Sequence, residues 1–268
     1  MKIYKLDKLV AMNTEYTLEP YRAYVIEAIG TSDSAEVVGY IDSKKVGSIL
    51  TETAPLRKNT SNMAGMLPLG SFFLVVPPDK TYKFVGTDGY FVRLKGKVLE
   101  LAVGEALPGD YLSRFANQHN EYITCLEGST VGTGTNMADG AEVTLYSLTP
   151  TTIEEYLFGG RLFIDQVTGG SAAEAEGNLG VRAYLDGVPF DHLKSASGRR
   201  GWDRMSMEIP NTTDNKDLEP FTLEDSPITV PGDKTLEIKL MNVSGSTLFT
   251  TTQATFHLYA VAKYKKAA

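Results

Sequence analysis

The side chains that most often bind metals or act as nucleophiles are few and scattered in this sequence. The chain has three histidines, His119, His192 and His257, and one cysteine, Cys125. No histidine has a second histidine or a cysteine at the spacing of a zinc site. A lone cysteine can form no intrachain disulfide, and we interpret Cys125 as a small apolar core residue. The sequence therefore predicts no metal site and no cofactor.

Carboxylates and short catalytic motifs give the same result. The pair Glu154-Glu155 and the acidic stretch Asp214–Asp225 lack the spacing of a calcium loop, so we interpret them as solvated loops. Gly132-Thr133-Gly134 lacks the third glycine and the preceding βα unit of a phosphate-binding loop. No nucleophile elbow and no His-Glu-x-x-His zinc motif occurs. We therefore expect no catalytic activity.

One segment concentrates side chains that are typical of protein interfaces. Residues 197–204 place Arg199, Arg200 and Arg204 around Trp202, the only tryptophan of the chain. Arginine and tryptophan are enriched at interface hot spots because they bury much surface and keep polar contacts. In the alternative interpretation, Trp202 lies under its own loop and the arginines face solvent. The candidate site is accordingly an interface of these four residues within the stretch 194–225.

Composition restricts the partners. The chain of 268 residues has 42% hydrophobic and 22% charged residues, a net charge of -7 and a pI near 5.1. These values are typical of a globular protein, and the negative charge argues against direct binding to nucleic acid. Charges at Lys5, Asp7 and Lys8 interrupt the apolar stretch that a secretion signal requires. The longest apolar runs, such as Phe72–Val76, are too short to span a bilayer.

Several short segments of predicted strand and turn occur twice in the sequence. Val76–Phe84 (VPPDKTYKF) is repeated as Val230–Ile238 (VPGDKTLEI). The offset between the copies rises from 130 residues (Tyr16 to Tyr146) to 154 residues (Val76 to Val230), as expected if the second copy has longer loops. Three more pairs follow in the same order: Tyr16–Pro20 with Tyr146–Pro150, Ile26–Ile29 with Ile164–Val167, and Tyr40–Asp42 with Tyr184–Asp186. We interpret the chain as an internal duplication.

The pattern of strands and turns predicts an all-β protein of two tandem antiparallel β-sandwich domains. About eight short strands per copy, separated by Gly, Pro and Asp turns, favour a jelly-roll-like sandwich over an immunoglobulin-like one, because the cysteine and tryptophan signature of the latter is missing. The predicted domains are 1–104 and 125–268. Residues 105–124 are predicted to form a linker with a short helix at Tyr111–Asn117, for which Asp110 is the N-cap.

Two segments of the first copy carry specific expectations. Leu67–Val76 is predicted to be one apolar strand that ends at Pro77-Pro78. Tyr90–Leu94 and Lys97–Val103 are predicted to be two strands separated by Gly96.

Tandem sandwiches of this size, without catalytic residues, disulfides or a signal peptide, resemble virion structural proteins. The chain is similar in architecture to the double jelly-roll capsid proteins of the adenovirus lineage, which also occur in tailless bacterial and archaeal viruses. The repeated turns, of which Val230-Pro231-Gly232-Asp233-Lys234-Thr235 is the clearest, are similar in style to phage decoration and fibre domains. The resemblance covers the whole chain as architecture and transfers no functional residue.

The resemblance implies a structural role in a virion, as a capsid or capsid-associated protein made in the host cytoplasm. It implies a homo-oligomer, preferentially a homotrimer in which six sandwiches approximate a hexagon, with other virion proteins as further partners. The alternative is a carbohydrate- or receptor-binding module, in which aromatics such as Tyr90, Tyr111 or Trp202 would stack on sugar.

Overall fold

The computed structural model describes residues 1–51, 54–56, 65–131, 136–151, 154–158, 161–168, 179–189, 221–222, 228–242, 244–249 and 255–266. The chain divides into two compact units, one of Met1–Cys125 with Lys263–Lys266 and one of Leu126–Ala262. Strands dominate the described residues of both units, and nearly all strand pairs are antiparallel. The all-β class expected from the sequence is therefore confirmed.

The first unit contains the first nine strands, the helix and the start of β10. Their bounds are β1 Lys2–Ala11, β2 Glu15–Thr17, β3 Arg22–Thr31, β4 Val37–Ile41, β5 Lys44–Ile49, β6 Leu67–Pro68, β7 Leu74–Val76, β8 Thr81–Val85, β9 Phe91–Glu100, α1 Gly109–Asn117 and β10 Glu121–Val131. In the sheet that we name sheet 1, the strand order is β1-β9-β3-β6, and β7 also pairs with β3. In the sheet that we name sheet 2, the order is β10-β5-β4-β8-β2, and the β10–β5 pair is parallel.

The two sheets pack face to face as a β-sandwich. Ile29 and Leu74 of sheet 1 meet Val37, Val46 and Phe84 of sheet 2 around a cavity of about 20 Å³. The apolar side chains at this contact are buried in both sheets. Burial of apolar surface is the main source of stability of such a fold. The first unit is therefore a β-sandwich with a buried apolar core.

Strand β9 is continuous, whereas the sequence predicted two strands separated by Gly96. Gly96 lies at φ 153°, and a Cβ atom there would be 2.0 Å from the carbonyl oxygen of Val25. Only glycine lets β3 and β9 approach this closely. The register shifts on β3 between Ile26 and Ala28, which marks a β-bulge beside the glycine.

The predicted single strand Leu67–Val76 is broken in the structure. β6 and β7 are separated by a 3₁₀ turn at Gly70–Phe72. Pro68 has no N–H to continue a ladder, and Gly70 has a positive φ of 53°, which bends the chain. The apolar composition of this stretch therefore reflects burial rather than one regular strand.

Helix α1 covers one end of the outer face of sheet 1. It begins at Gly109 with Pro108 at the N-cap position, so Asp110 lies in the first turn and is not the predicted cap. The buried residues Ala23, Val25, Val75, Leu99 and Leu107 form a cluster against which Phe73, Tyr111 and Phe115 pack. The helix that was expected in a linker thus belongs to the first unit.

The second unit contains the remaining strands. Their bounds are β11 Asn136–Met137, β12 Glu142–Leu148, β13 Glu154–Phe158, β14 Arg161–Thr168, β15 Leu179–Leu185, β16 Val188–Pro189, β17 Phe221–Thr222, β18 Ile228–Val230, β19 Leu236–Asn242, β20 Leu248–Phe249 and β21 Thr255–Lys266, of which the last four residues fall in the first unit. In sheet 3, the strand order is β12-β19-β15-β16. Strand β14 pairs with β21 and β17, β13 with β18, and β11 with β20.

Four strands of sheet 2 and the strands of sheet 3 follow the same order. The order β2-β8-β4-β5 in the first unit corresponds to β12-β19-β15-β16 in the second. Ile41 pairs with Tyr82 and with Lys44, and Leu185 pairs with Leu236 and with Val188. These pairings correspond at the positions that the predicted duplication equates, and the duplication itself stays a prediction.

The turns that join these strands also correspond. Asp79 and Asp233 lie at φ 61° and 62°. The backbone N–H groups of Asp42 and Asp186 donate to the carbonyl oxygens of Thr81 and Thr235, at 2.8 Å in each case. Lys80 forms an ion pair with Asp42, and Lys234 forms the corresponding pair with Asp186.

The outer strand of the two sheets differs by two residues in register. Tyr16 of β2 pairs with Tyr82, whereas Tyr146 of β12 pairs with Ile238 rather than with Leu236. β12 also contains an irregularity between Thr144 and Tyr146.

Candidate interaction site

The interface predicted from the sequence lies outside the described residues. Arg199, Arg200, Trp202 and Arg204 all fall in the stretch 190–220, so this interface stays a prediction.

The aromatic residues proposed for sugar stacking have different environments. Tyr90, which directly precedes β9, is 39% exposed. Tyr111 instead packs edge to face against Phe73, with 6.2 Å between the ring centres, and joins the cluster under α1. Trp202 is outside the described residues. Tyr90 alone of these three is seen with an exposed ring.

One edge of sheet 1 is closed by a side chain. The backbone N–H of Val75 on β7 donates to Oε1 of Gln118 at 2.8 Å, and Nε2 of Gln118 donates to the carbonyl oxygen of Val75 at 2.9 Å. The amide group thus replaces the neighbouring strand that an edge residue lacks. Gln118 is fully buried at the end of α1.

Arg114 fixes the helix at the same edge. Its Nε donates to the carbonyl oxygen of Phe73 at 2.6 Å, and its guanidinium pairs with Glu121. The Arg114 side chain is 9% exposed, and it lies within 5.8 Å of the Phe73 ring centre. Charge pairing, a backbone hydrogen bond and ring contact therefore all hold α1 over the β7 edge.

The opposite edge of sheet 1 is strand β1. Among the described residues β1 pairs with β9 alone, over its full length from Lys2 to Ala11. Several apolar side chains of this strand are exposed: Ile3 by 55%, Tyr4 by 49% and Leu9 by 58%. We call the unpaired side of Lys2–Ala11 the β1 edge. An exposed edge of this length is available for pairing with another strand.

β1 is fixed to sheet 2 by Lys8. Its Nζ donates to the hydroxyl of Tyr82 at 3.1 Å and lies 5.2 Å, 5.7 Å and 5.8 Å from the ring centres of Tyr16, Tyr24 and Tyr82. The rings of Tyr16 and Tyr82 stack at 5.3 Å. A cation among three aromatic faces is attracted by their quadrupoles. Lys8 therefore joins the two sheets of the sandwich.

The titration of this cluster follows from its contacts. Partial burial lowers the pKa of Lys8, but the hydrogen bond to Tyr82 and the nearby tyrosines outweigh it, so the pKa lies above the usual value. Burial raises the pKa of Tyr82. At neutral pH the lysine is charged and the phenol is protonated, so neither group is prepared to act as a base.

The outer face of sheet 1 beyond α1 carries ion pairs. Arg93 on β9 binds Asp7 on β1 through two hydrogen bonds, of 2.8 Å from Nε and 2.9 Å from a terminal nitrogen. This bond to Arg93 holds the pKa of the Asp7 carboxyl below its usual value. Lys97 pairs with Glu27 at 2.6 Å on the same face.

A second polar cluster lies on sheet 3. The hydroxyl of Tyr184 donates to Glu142, whose carboxylate also lies 3.4 Å from a guanidinium nitrogen of Arg182. Arg182 and Lys239 lie 5.1 Å and 4.6 Å from the Tyr184 ring centre. Burial and the bond to Glu142 raise the pKa of Tyr184 to about 12. This phenol stays protonated at neutral pH.

Among the described side chains, one histidine and the cysteine contact neighbouring residues of the first unit. His119 packs edge to face against Phe115 at 5.3 Å, and burial lowers its pKa. Cys125 is half-buried, with Sγ 3.6 Å from the carbonyl oxygen of Ser48. No group of three His, Cys, Asp or Glu side chains arranged for a metal ion occurs among the residues described. Within the same residues, no helix has the length and apolar character needed to cross a membrane.

Two solved structures align with this chain at low sequence identity. No protein-family model and no curated protein matches the chain. A crystal structure of a conserved protein of unknown function from Pseudomonas aeruginosa PAO1 aligns at 7% identity and a TM-score of 0.22, over 99% of this chain and 80% of that one. The structure of infectious bursal disease virus, Gt strain, aligns at 11% identity and a TM-score of 0.21, over 100% and 77%. At these TM-scores neither alignment identifies the chain.

Proposed function

We propose that this chain is a non-catalytic structural protein of a virion, a capsid or capsid-associated subunit that self-assembles through tandem β-sandwiches. The observation that carries the proposal is the strand order shared by β2-β8-β4-β5 and β12-β19-β15-β16, together with the corresponding turns. A second copy of a rigid sandwich doubles the surface for contacts with neighbours without adding a reactive site. This use of tandem sandwiches agrees with the double jelly-roll architecture that the sequence resembles.

The proposed assembly is a homotrimer that packs further with copies of itself or with other virion proteins. Three chains with two sandwiches each approximate sixfold packing, and closed cyclic arrangements are common among homo-oligomers. The stretch 194–225, with Trp202 among Arg199, Arg200 and Arg204, contributes a subunit contact. The net charge of -7 agrees with contacts that involve protein rather than nucleic acid.

The test measures assembly of the full chain by size-exclusion chromatography with light scattering, with Trp202→Ala as the variant. We expect the wild type to form a trimer or larger particle, and the variant to weaken the subunit contact by about 2 kcal/mol or more. Circular dichroism should remain that of a β-rich protein. The matched control is Tyr90→Ala, which removes an exposed aromatic ring elsewhere on the chain and should leave assembly unchanged.

A wild type that remains monomeric at all concentrations would overturn the assembly proposal. Normal assembly or unfolding of the Trp202→Ala variant would instead place Trp202 within its own domain. A carbohydrate-binding module is the second candidate, favoured by the exposed ring of Tyr90. Glycan binding that disappears in Tyr90→Ala would support this second function.

A further inference from the structure

We propose that the β1 edge pairs with the β1 edge of a second copy of this chain, antiparallel and centred on Leu6. The partner is identified by the self-complementary pattern of the strand, and the contact rests on the proposed self-assembly, of which it is one contact. It is separate from the contact proposed for Trp202.

The bonds of Ala11, the last residue of β1, and of Met12, which follows it, show which backbone groups of the strand face β9 and which face the free edge. Met12 donates to the carbonyl oxygen of Tyr90, at 3.0 Å, on the side of β9. Ala11 donates to the hydroxyl of Tyr16, at 3.0 Å, and so faces away from β9. Because backbone groups alternate in direction along a strand, the odd residues from Ile3 to Leu9 direct their N–H and C=O groups to the free edge.

The side chains of these odd residues form a palindrome. Ile3, Lys5, Asp7 and Leu9 share the outer face of sheet 1, where β9 presents Arg93 opposite Leu9. In an antiparallel pair centred on Leu6, Ile3 faces Leu9 of the second copy and Lys5 faces its Asp7. Each contact occurs twice because the pair is twofold symmetric. Apolar residues meet apolar residues, and opposite charges meet.

Neighbouring registers lose this match. Centring the pair on Lys5 places two lysines opposite each other, and centring it on Asp7 places two aspartates opposite each other. Like charges directly opposite are destabilising in an antiparallel pair. Lysines on edge strands normally prevent pairing with another strand. Here Lys5 lies opposite Asp7 of the second copy in one register only, and in that register the two side chains attract each other.

The two edges of sheet 1 are equipped differently. Gln118 closes the β7 edge with two hydrogen bonds, whereas β1 exposes Ile3 and Leu9 by more than half. Asp7 is already oriented by Arg93, so its carboxylate is held on the outer face before a second copy arrives. A twofold contact cannot relate the three subunits of a cyclic trimer, so the β1 contact would join chains of two different trimers.

The test is a mixing experiment with charge reversals of the full chain. Lys5→Glu places a glutamate opposite Asp7 of the second copy, and Asp7→Lys places a lysine opposite Lys5. We expect each variant alone to raise the dissociation constant of the twofold contact roughly tenfold. An equimolar mixture should recover wild-type association, because the introduced glutamate of one chain then faces the introduced lysine of the other. Analytical ultracentrifugation over a concentration series measures all three samples.

The control is Lys45→Glu, the same charge change at an exposed lysine of β5, which should not alter association. A second variant, Lys5→Pro, removes an N–H group of the free edge and spares the ladder to β9, so it should also weaken pairing. Circular dichroism melting of every variant shows that the fold is retained.

The outcomes separate this inference from the proposed function. A wild type that assembles into trimers or shells, with Lys5→Glu indistinguishable from it, overturns the β1 contact and leaves the virion role standing. Failure of the mixture to recover association, or a wild type that is monomeric throughout, also overturns the β1 contact. A wild type that forms only a β1 dimer, with recovery on mixing, supports the contact and contradicts the virion role.

Discussion

The two edges of sheet 1 differ in whether their outward-facing backbone groups have hydrogen-bond partners. At β7, Gln118 pairs with both backbone groups of Val75, and Arg114 binds the carbonyl oxygen of Phe73. At β1, the side that faces away from β9 has no paired strand among the described residues, and apolar side chains of the strand are exposed. Sheet 1 can therefore add a strand at the β1 edge but not at β7.

The contrast arises from the elements that pack against each edge. The segment after β9 returns as α1, covers Ala23, Val25 and Leu99, and brings Gln118 to β7. β1 is held from its inner face, where Lys8 enters the tyrosine cluster. The β7 edge is therefore covered by α1, whereas β1 is held to sheet 2 by Lys8 and has no element covering its free edge among the described residues.

The largest effect is expected at the closed edge. Gln118→Ala leaves the N–H and C=O groups of Val75 buried without partners, which should cost about 3 kcal/mol of unfolding free energy. Chemical denaturation measures this loss. Asn117→Ala, an exposed neighbour on α1, is the control and should change stability little. Equal losses for both variants would show that the amide does not close the edge.

A smaller effect is expected where β1 is anchored. Tyr82→Phe keeps the ring and removes the acceptor of Lys8, which should cost about 1.5 kcal/mol. Because the bond to Tyr82 raises the pKa of Lys8, this contribution is fully present below the unfolded lysine pKa and is lost as pH rises through the folded value.

The pH dependence supplies the check on that prediction. The stability difference between wild type and Tyr82→Phe, measured by denaturation at neutral and at strongly alkaline pH, should shrink on the alkaline side. Tyr4→Phe, which removes a hydroxyl from an exposed ring of the same strand, should match wild type. A difference that grows with pH would contradict the assigned hydrogen bond.

The smallest effect is expected on the outer face of β1. Arg93→Gln removes both hydrogen bonds to Asp7, so the pKa of Asp7 should rise towards its ordinary value. Because the pKa of Asp7 is lower in the folded than in the unfolded protein, its ionisation stabilises the native state at pH values above the unfolded pKa of about 3.9. This stabilisation is lost as the pH falls through the folded pKa. NMR titration of the Asp7 carboxyl measures the change. Lys95→Gln, which removes a more distant charge, should shift this pKa less; an equal shift would exclude Arg93 as the main cause.

Local elements could be predicted from the sequence alone. β-branched and aromatic runs indicated the all-β class, and Asp, Gly and Pro indicated turns, because these residues favour particular φ and ψ values wherever they occur. The repeated Val-Pro-x-Asp-Lys-Thr stretch also indicated which turns correspond, and Asp79 and Asp233 adopt nearly equal φ angles. The interface at Arg199, Arg200, Trp202 and Arg204 stays a prediction.

Packing between the sheets set the features that local patterns cannot encode. Gly96 has the residue type of a strand end, but it lies inside β9 because β3 approaches its α-carbon closely. Lys8 has the residue type of a solvated charge, yet three tyrosines from three strands surround it. Which edge is open depends on where α1 packs, and α1 begins only at Gly109, after the last strand of sheet 1. Such contacts join residues distant in sequence, so their energies appear only when the sheets are assembled.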